Sequence, residues 1–98
     1  MRMRNIFLGL GLFVSFVDSA CAAEAPPGAS SCSGCHPASK GVDSPVPRLN
    51  GQDANAILSA LQAFRAGQRP ATVMDRIAKG FTDDEIKAIA GWYAAQKD

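Results

Sequence analysis

Five consecutive residues near the front of the chain, Cys32-Ser33-Gly34-Cys35-His36, have types and a spacing that could do chemistry. The order Cys-x-x-Cys-His is the signature for covalent attachment of a c-type haem. In a helical turn, positions i and i+3 point the same way, so both sulfurs can reach the vinyl groups at one porphyrin edge. His36 would then supply the proximal iron ligand. The motif therefore predicts one covalently bound haem c.

Three other kinds of site use the same residue types. A structural zinc site needs about four ligands, and residues 23–98 offer no further Cys or His to complete the set. A thioredoxin-like redox pair would follow a β-strand, and no alternating pattern precedes Cys32. A disulfide between Cys32 and Cys35 is possible in an exported protein, but it would leave His36 unexplained.

The N-terminal segment predicts export. Two arginines precede an apolar run at 6–17, and small residues follow that run. This order is typical of a cleavable secretory signal, and the run is too short to cross a bilayer. A cleavage site after Ala22 divides the chain into a signal peptide, 1–22, and a domain, 23–98. Lipidation of Cys21 is the alternative fate. Export to the periplasm agrees with the haem prediction, because c-type haem is attached outside the cytoplasm.

Composition excludes several classes of protein. The 98 residues carry a net charge of +1, so no basic excess points to nucleic acid. No stretch has the roughly 18 apolar residues of a membrane span. A domain of this size buries little apolar surface and usually needs a disulfide, a metal or a cofactor for stability. A covalently bound haem would meet that need.

The second axial ligand of the iron is predicted by elimination. Once 1–22 is removed, His36 is the only histidine and Met74 is the only methionine. A pair of histidine ligands is therefore excluded, and the Met74 thioether is the favoured ligand. Met74 as a core side chain, a lysine ligand and an iron with one open position are the alternatives.

The periodicity predicts an all-α domain. Asp53 is a suitable N-cap for a helix that runs to about Ala66, where Gly67 would end it. A short helical turn is expected from Met74 to Lys79. The sequence Thr82-Asp83-Asp84-Glu85 has the form of a capping box and opens the last helix. Apolar residues at helical spacing predict the buried faces of the first and last of these helices, namely Ile57, Leu58, Leu61 and Phe64, then Ile86, Ile89, Ala90 and Tyr93.

The whole domain resembles a class I cytochrome c, a small all-α fold packed around one covalent haem. The resemblance rests on the Cys-x-x-Cys-His motif, on Pro47-Arg48-Leu49, on the methionine segment and on an aromatic-bearing last helix. It implies that the Pro47 carbonyl accepts a hydrogen bond from His36 and that Leu49 covers the porphyrin. It also implies that Met74 is the axial ligand, and it places Trp92 at the aromatic position of the last helix.

A narrower resemblance concerns the segment 72–81. It is similar to the methionine loop of the haem subunit of flavocytochrome c sulfide dehydrogenase, which implies an FAD flavoprotein as partner and a monohaem electron-accepting role. Pro26 and Pro27 shorten the N-terminal helix of the family, which is expected to leave Trp92 and Tyr93 less covered than in longer relatives.

Three functions follow as hypotheses. The first is the haem subunit that takes electrons from a sulfide-oxidising flavoprotein and passes them to other redox proteins. It would not be an enzyme on its own. The second is a free-standing soluble cytochrome c that shuttles electrons between a dehydrogenase or membrane complex and a terminal oxidase. The third is a ligand-binding haem protein with an open iron, against which Met74 argues. A basic group, which comprises Arg48, Arg69, Arg76 and Lys79, could guide a partner to the haem.

Overall fold

The structure, a computed structural model, describes residue 11 and residues 24–97. Four helices follow one another: α1 (Ala29–Cys32), α2 (Ala54–Arg65), α3 (Met74–Lys79) and α4 (Asp83–Ala95). The described residues contain no β-strand. The predicted all-α class is therefore confirmed.

Helix α2 begins and ends where its local sequence predicts. The Asp53 side chain accepts a hydrogen bond from the Ala56 amide (3.0 Å), which satisfies one of the free N–H groups of the first turn. At the other end, Gly67 has a positive φ of 70° and its amide donates to Phe64 (3.2 Å). The Gln68 amide reaches back to Ala63 (2.9 Å). This pair of bonds is a Schellman motif, and the left-handed residue it needs is most easily a glycine.

Helix α4 supplies most of the core. The Thr82 hydroxyl accepts from the Glu85 amide (3.2 Å), and the Glu85 carboxylate accepts from the Thr82 amide (3.0 Å), so the predicted capping box is present. The predicted apolar face of α4 is buried, and it packs against α2 through Ile57. The residues of that face are Ile86, Ile89, Ala90 and Tyr93.

The short helix α1 is held in place by close contacts with Phe81 and with α4. Gly28, its N-cap, has a positive φ of 84°, and a Cβ there would overlap the ring of Phe81. Ala29 is completely buried and belongs to the core cluster, which comprises Ala29, Ile57, Ile89, Ala90 and Tyr93. Tyr93 is 2% exposed, so it is well covered despite the shortened N-terminal helix, while Trp92 is half-buried.

The predicted signal peptide, 1–22, lies outside the described residues apart from Gly11. Within the part of the chain that the structure describes, no helix is both long enough and apolar enough to cross a membrane.

Candidate functional site

The two cysteines and the histidine lie on one continuous helical turn. The amide of Cys35 donates to the carbonyl of Cys32 (3.2 Å), and the amide of His36 donates to the same carbonyl (2.9 Å). These bonds continue the helical path of α1 past its last residue. Cys32 and Cys35 are not joined by a disulfide. The i and i+3 thiols therefore have the local geometry that the attachment motif requires.

The environments of the two thiols differ. Cys32 is half-buried and packs against the core cluster, whereas Cys35 is exposed. Burial raises the pKa of the Cys32 thiol, and a hydrogen bond with the Tyr93 side chain opposes this shift. Among the described residues, no three side chains of His, Cys, Asp or Glu come together as a metal-binding group, so that part of the chain offers no set of zinc ligands.

His36 is oriented by a backbone carbonyl eleven residues away. Its Nδ1 lies 2.5 Å from the carbonyl oxygen of Pro47. Because a carbonyl can only accept, Nδ1 carries the proton, and the neutral ring keeps its lone pair on Nε2. This is the tautomer that a histidine needs to bind a metal through Nε2, and an outer hydrogen bond of this kind fixes the orientation of the ring.

The loop that carries Pro47 is closed by its own hydrogen bonds. The Arg48 guanidinium donates to the Ala38 carbonyl (2.5 Å), which joins the two sides of the loop. The Gln52 amide side chain donates to the Arg48 carbonyl. Leu49 is half-buried against the core cluster, where Cys32 also packs. The loop thus presents the Pro47 carbonyl to His36 and an aliphatic side chain to the core.

Met74 is the first residue of α3 and is half-buried. The helix is fixed by Ala78, which is completely buried one turn later on the same face. Val73 and Ile77 are 53% and 40% exposed. One carboxylate oxygen of Asp75 is buried without a hydrogen-bond partner.

The structure thus brings the predicted site residues together in two groups and leaves Met74 on a third segment. Cys32 and Leu49 share the core cluster, and His36 meets Pro47. Met74 lies on α3, which packs against α2. Cys35 is an exposed residue of the helical turn Cys32–His36, the attachment turn.

Sequence reasoning gave no role to the Tyr93 hydroxyl. This hydroxyl donates to the Ala29 carbonyl (2.5 Å) and lies 2.9 Å from the Ser33 hydroxyl. The helical stripe predicted a buried side chain at 93, but nothing in the stripe indicates which polar groups face it.

The donor set fits a covalently bound haem. Two unpaired thiols stand at i and i+3, an imidazole next to them has its proton on Nδ1, and a half-buried thioether is available on α3. A thiol pair can form two thioethers with a porphyrin, and imidazole with thioether is a known axial pair for haem iron.

Comparisons with known proteins give several relatives, while no protein-family model matches the chain. The chain is 41% identical over 63 residues to the cytochrome subunit of sulfide dehydrogenase from Chlorobaculum tepidum, a match that covers 64% of this chain and 57% of that protein. It is 40% identical over 67 residues to a thiosulfate dehydrogenase electron acceptor from Stutzerimonas stutzeri, covering 64% and 31%. It is 36% identical over 70 residues to cytochrome c-554(548) from Halomonas halodenitrificans, covering 67% and 84%. The chain therefore spans less than two thirds of the first two relatives and most of the third.

Proposed function

The chain belongs to the cytochrome c family, and on this premise we propose that it is a periplasmic carrier of single electrons with one covalently bound haem. The family makes it an electron carrier that is not catalytic on its own. We assign the thioether bonds to Cys32 and Cys35 and the axial ligands to His36 and Met74. The domain would be residues 23–98, exported by the signal peptide 1–22.

The observation that carries the ligand assignment is the 2.5 Å contact between His36 Nδ1 and the Pro47 carbonyl. A proton on Nδ1, which this contact favours, would leave Nε2 available to bind the iron. A histidine with a purely structural role has no need of this tautomer next to a pair of unpaired thiols. The contact therefore supports an iron ligand at the end of the attachment turn.

When bound, haem supplies an iron that accepts and releases one electron. The residues of the chain would set which oxidation state is favoured and how much water reaches the porphyrin. Met74 as second ligand would fill the remaining axial position and favour the reduced state, because a thioether is a weak donor. Leu49 would exclude water from the porphyrin, and exclusion of water also favours the state with less positive charge.

We propose an FAD flavoprotein that oxidises sulfide as the electron donor. The support is the similarity to the cytochrome subunit of sulfide dehydrogenase. In such a complex this chain would receive electrons one at a time and pass them to another redox protein. Exposed cations on α3, Arg76 and Lys79, offer a docking surface to an acidic partner.

A free-standing shuttle is the second candidate function. It is supported by the similarity to cytochrome c-554(548) from Halomonas halodenitrificans. A shuttle would carry electrons between a dehydrogenase or membrane complex and a terminal oxidase without a permanent partner.

Gentle purification from the periplasm tests both parts of the proposal. An absorption band of the oxidised protein in the far red, assigned to sulfur-to-iron charge transfer, would support Met74 as ligand. Carbon monoxide binding by the reduced native protein would instead indicate an open iron position. Flavin that elutes with the haem, together with haem reduction on addition of sulfide, would support the flavocytochrome subunit. Haem alone at the mass of the single chain, even under cross-linking, would support the free shuttle.

A further inference from the structure

The hydroxyl of Tyr93, a buried residue of α4, lies beside the first half of the Cys32–His36 turn. Tyr93 donates to the Ala29 carbonyl at 2.5 Å, so its oxygen is free to accept from the Ser33 hydroxyl at 2.9 Å. One partner precedes Cys32 by three residues, and the other follows it directly. The phenol of α4 therefore binds the backbone before the first cysteine and a side chain directly after it.

Helix α1 has little stability of its own. It is four residues long, and its N-cap, Gly28, provides no side-chain cap. So short a helix does not persist in water without tertiary contacts. Its hold on the core comes from the ring of Phe81 above Gly28, from buried Ala29 and from the Tyr93 hydroxyl. Of these three contacts, only the hydrogen bond from the Tyr93 hydroxyl depends on direction, whereas the other two are van der Waals packing.

The positions of the two cysteines depend to different degrees on the hydrogen bond from the Tyr93 hydroxyl. Cys32 packs against the same core cluster as Tyr93, between the two residues that the hydroxyl binds. Cys35 is exposed and follows Ser33 in the sequence, so it lies outside the segment between Ala29 and Ser33 that the hydroxyl contacts. A shift of the turn away from α4 would move Cys32 out of its packed position and would leave the surroundings of Cys35 nearly unchanged.

We propose that Tyr93 is a positioning residue for covalent haem attachment, and that its hydroxyl holds Cys32 in place while the Cys32 thiol forms its thioether bond. The inference rests on the proposed attachment at Cys32 and Cys35. In the bond-forming step the thiol S–H adds across a vinyl C=C bond. The sulfur bonds to one vinyl carbon, the hydrogen goes to the other, and the S–H bond and the π bond are lost. No electron acceptor is consumed.

The test counts unreacted thiols in the exported holoprotein. Wild type, Tyr93→Phe and Ser33→Ala chains are produced with a haem-attachment system, denatured, alkylated with iodoacetamide and analysed by peptide mass spectrometry. Tyr93→Phe keeps the ring and removes the hydrogen bonds of the hydroxyl with Ala29, Ser33 and the Cys32 thiol. We expect alkylation at Cys32 to rise at least about fivefold, the factor that corresponds to the loss of a single net hydrogen bond, while alkylation at Cys35 stays at the wild-type level. Ser33→Ala should raise Cys32 alkylation less, because the bond to Ala29 survives.

Ile89→Val is the matched control for general destabilisation. Ile89 is buried on α4 in the same cluster and forms no polar contact with the attachment turn. Wild-type alkylation at both cysteines in Tyr93→Phe would overturn the inference, as would an equal rise of Cys32 alkylation in Ile89→Val. If Tyr93→Phe fails to accumulate, wild-type alkylation in Ser33→Ala would likewise overturn it. Two free thiols in the wild-type chain would overturn the proposed function itself, which separates the two failures.

Discussion

His36 and Pro47 are joined by a hydrogen bond of 2.5 Å between the imidazole Nδ1 and the backbone carbonyl. The acceptor is a main-chain atom, so no side-chain substitution removes it. What a substitution can change is how firmly the carbonyl is held. Proline fixes its own φ near −65°, which restricts the position of the carbonyl that follows.

Pro47→Ala should therefore keep the hydrogen bond between His36 and residue 47 but let the carbonyl move more, so that the bond opens more often. The freer unfolded chain is expected to lower the free energy of unfolding by about 0.4–1 kcal/mol. The Nδ1 proton of His36 should exchange with solvent faster than in wild type, as NMR of the reduced holoprotein can measure. Pro45→Ala is the control, since the same loop contains Pro45 and no hydrogen bond ties it to His36. Equal acceleration in both variants would show that the loop as a whole, rather than Pro47, holds the ring.

Met74→Ala should open one axial position of the iron. The far-red band of the oxidised protein should disappear, the reduced protein should bind carbon monoxide, and the reduction potential should fall by of order 0.1 V, within the roughly 0.8 V span that axial ligands set. Spectroscopy and redox titration measure these changes. Val73→Ala is the control, because Val73 is the exposed neighbour of Met74 and has no ligating atom. An unchanged far-red band in Met74→Ala would exclude Met74 as ligand.

The sequence was sufficient to predict α2, α3 and α4, because their ends are local. Asp53, Gly67 and the Thr82–Glu85 pair each make their capping bonds within a few residues of their own position. Periodicity likewise predicted the buried face of α4. The partners of the Tyr93 hydroxyl could not be predicted, since Ala29 lies sixty-four residues away in sequence and the contact depends on how α1 and α4 pack. The exposure of Val73 and Ile77 is also a tertiary property, because both are apolar and neither residue type predicts which side of α3 meets solvent.

Gly28 and Gly91 should respond in opposite directions to the same substitution. Gly28 has a φ of 84°, and an added Cβ would lie 2.9 Å from Phe81 Cζ and closer still to the adjacent ring carbon. Gly28→Ala should lower the free energy of unfolding by at least about 1–2 kcal/mol through the left-handed conformation alone. Gly91 lies inside α4 with no heavy atom within 4 Å of the added Cβ, and Gly91→Ala should raise stability by about 0.5–1 kcal/mol. Denaturant unfolding of the two holoproteins measures both. Similar stability of the two variants would contradict the contact between Gly28 and Phe81.

The capping box of α4 should give an acid-dependent stability. Hydrogen bonds from the Thr82 amide and hydroxyl lower the pKa of Glu85 below its usual value of about 4.3. A carboxylate with a lowered folded pKa stabilises the folded state above the unfolded pKa, and this stabilisation is lost as the pH falls through the folded pKa. Glu85→Gln should flatten this part of the pH profile of the melting temperature between about pH 5 and pH 3.

Thr82→Ala removes the hydroxyl of the same box. It should lower the free energy of unfolding at neutral pH by about 1 kcal/mol, as measured by denaturant titration. Ser59→Ala, a hydroxyl deletion at an exposed position inside α2, is the control and should be neutral or slightly stabilising. A loss of equal size in Ser59→Ala would mean that the effect does not come from the cap.

The cations on α3 should attract an anionic electron donor toward the Met74 side of the molecule. Two carboxylates of α4 are engaged elsewhere, since Asp83 pairs with Arg65 and Glu85 belongs to the capping box. The double variant Arg76→Glu, Lys79→Glu should therefore slow reduction of the holoprotein by ferrocyanide about tenfold at low ionic strength, and the difference should shrink as added salt shortens the Debye length. Stopped-flow absorbance measures both rates.

A second double variant, Lys87→Glu, Lys97→Glu, is the control for that measurement. It changes the net charge by the same amount at exposed positions on and just after α4. If the site of electron entry lies beside α3, this control should slow reduction less than the α3 variant, because the Coulomb energy falls with distance from the site. The difference between the two variants should be clearest at about 0.1 M salt, where charges farther than about 10 Å are screened. Equal slowing in the two variants would mean that ferrocyanide responds to net charge, and the docking surface on α3 would then be rejected.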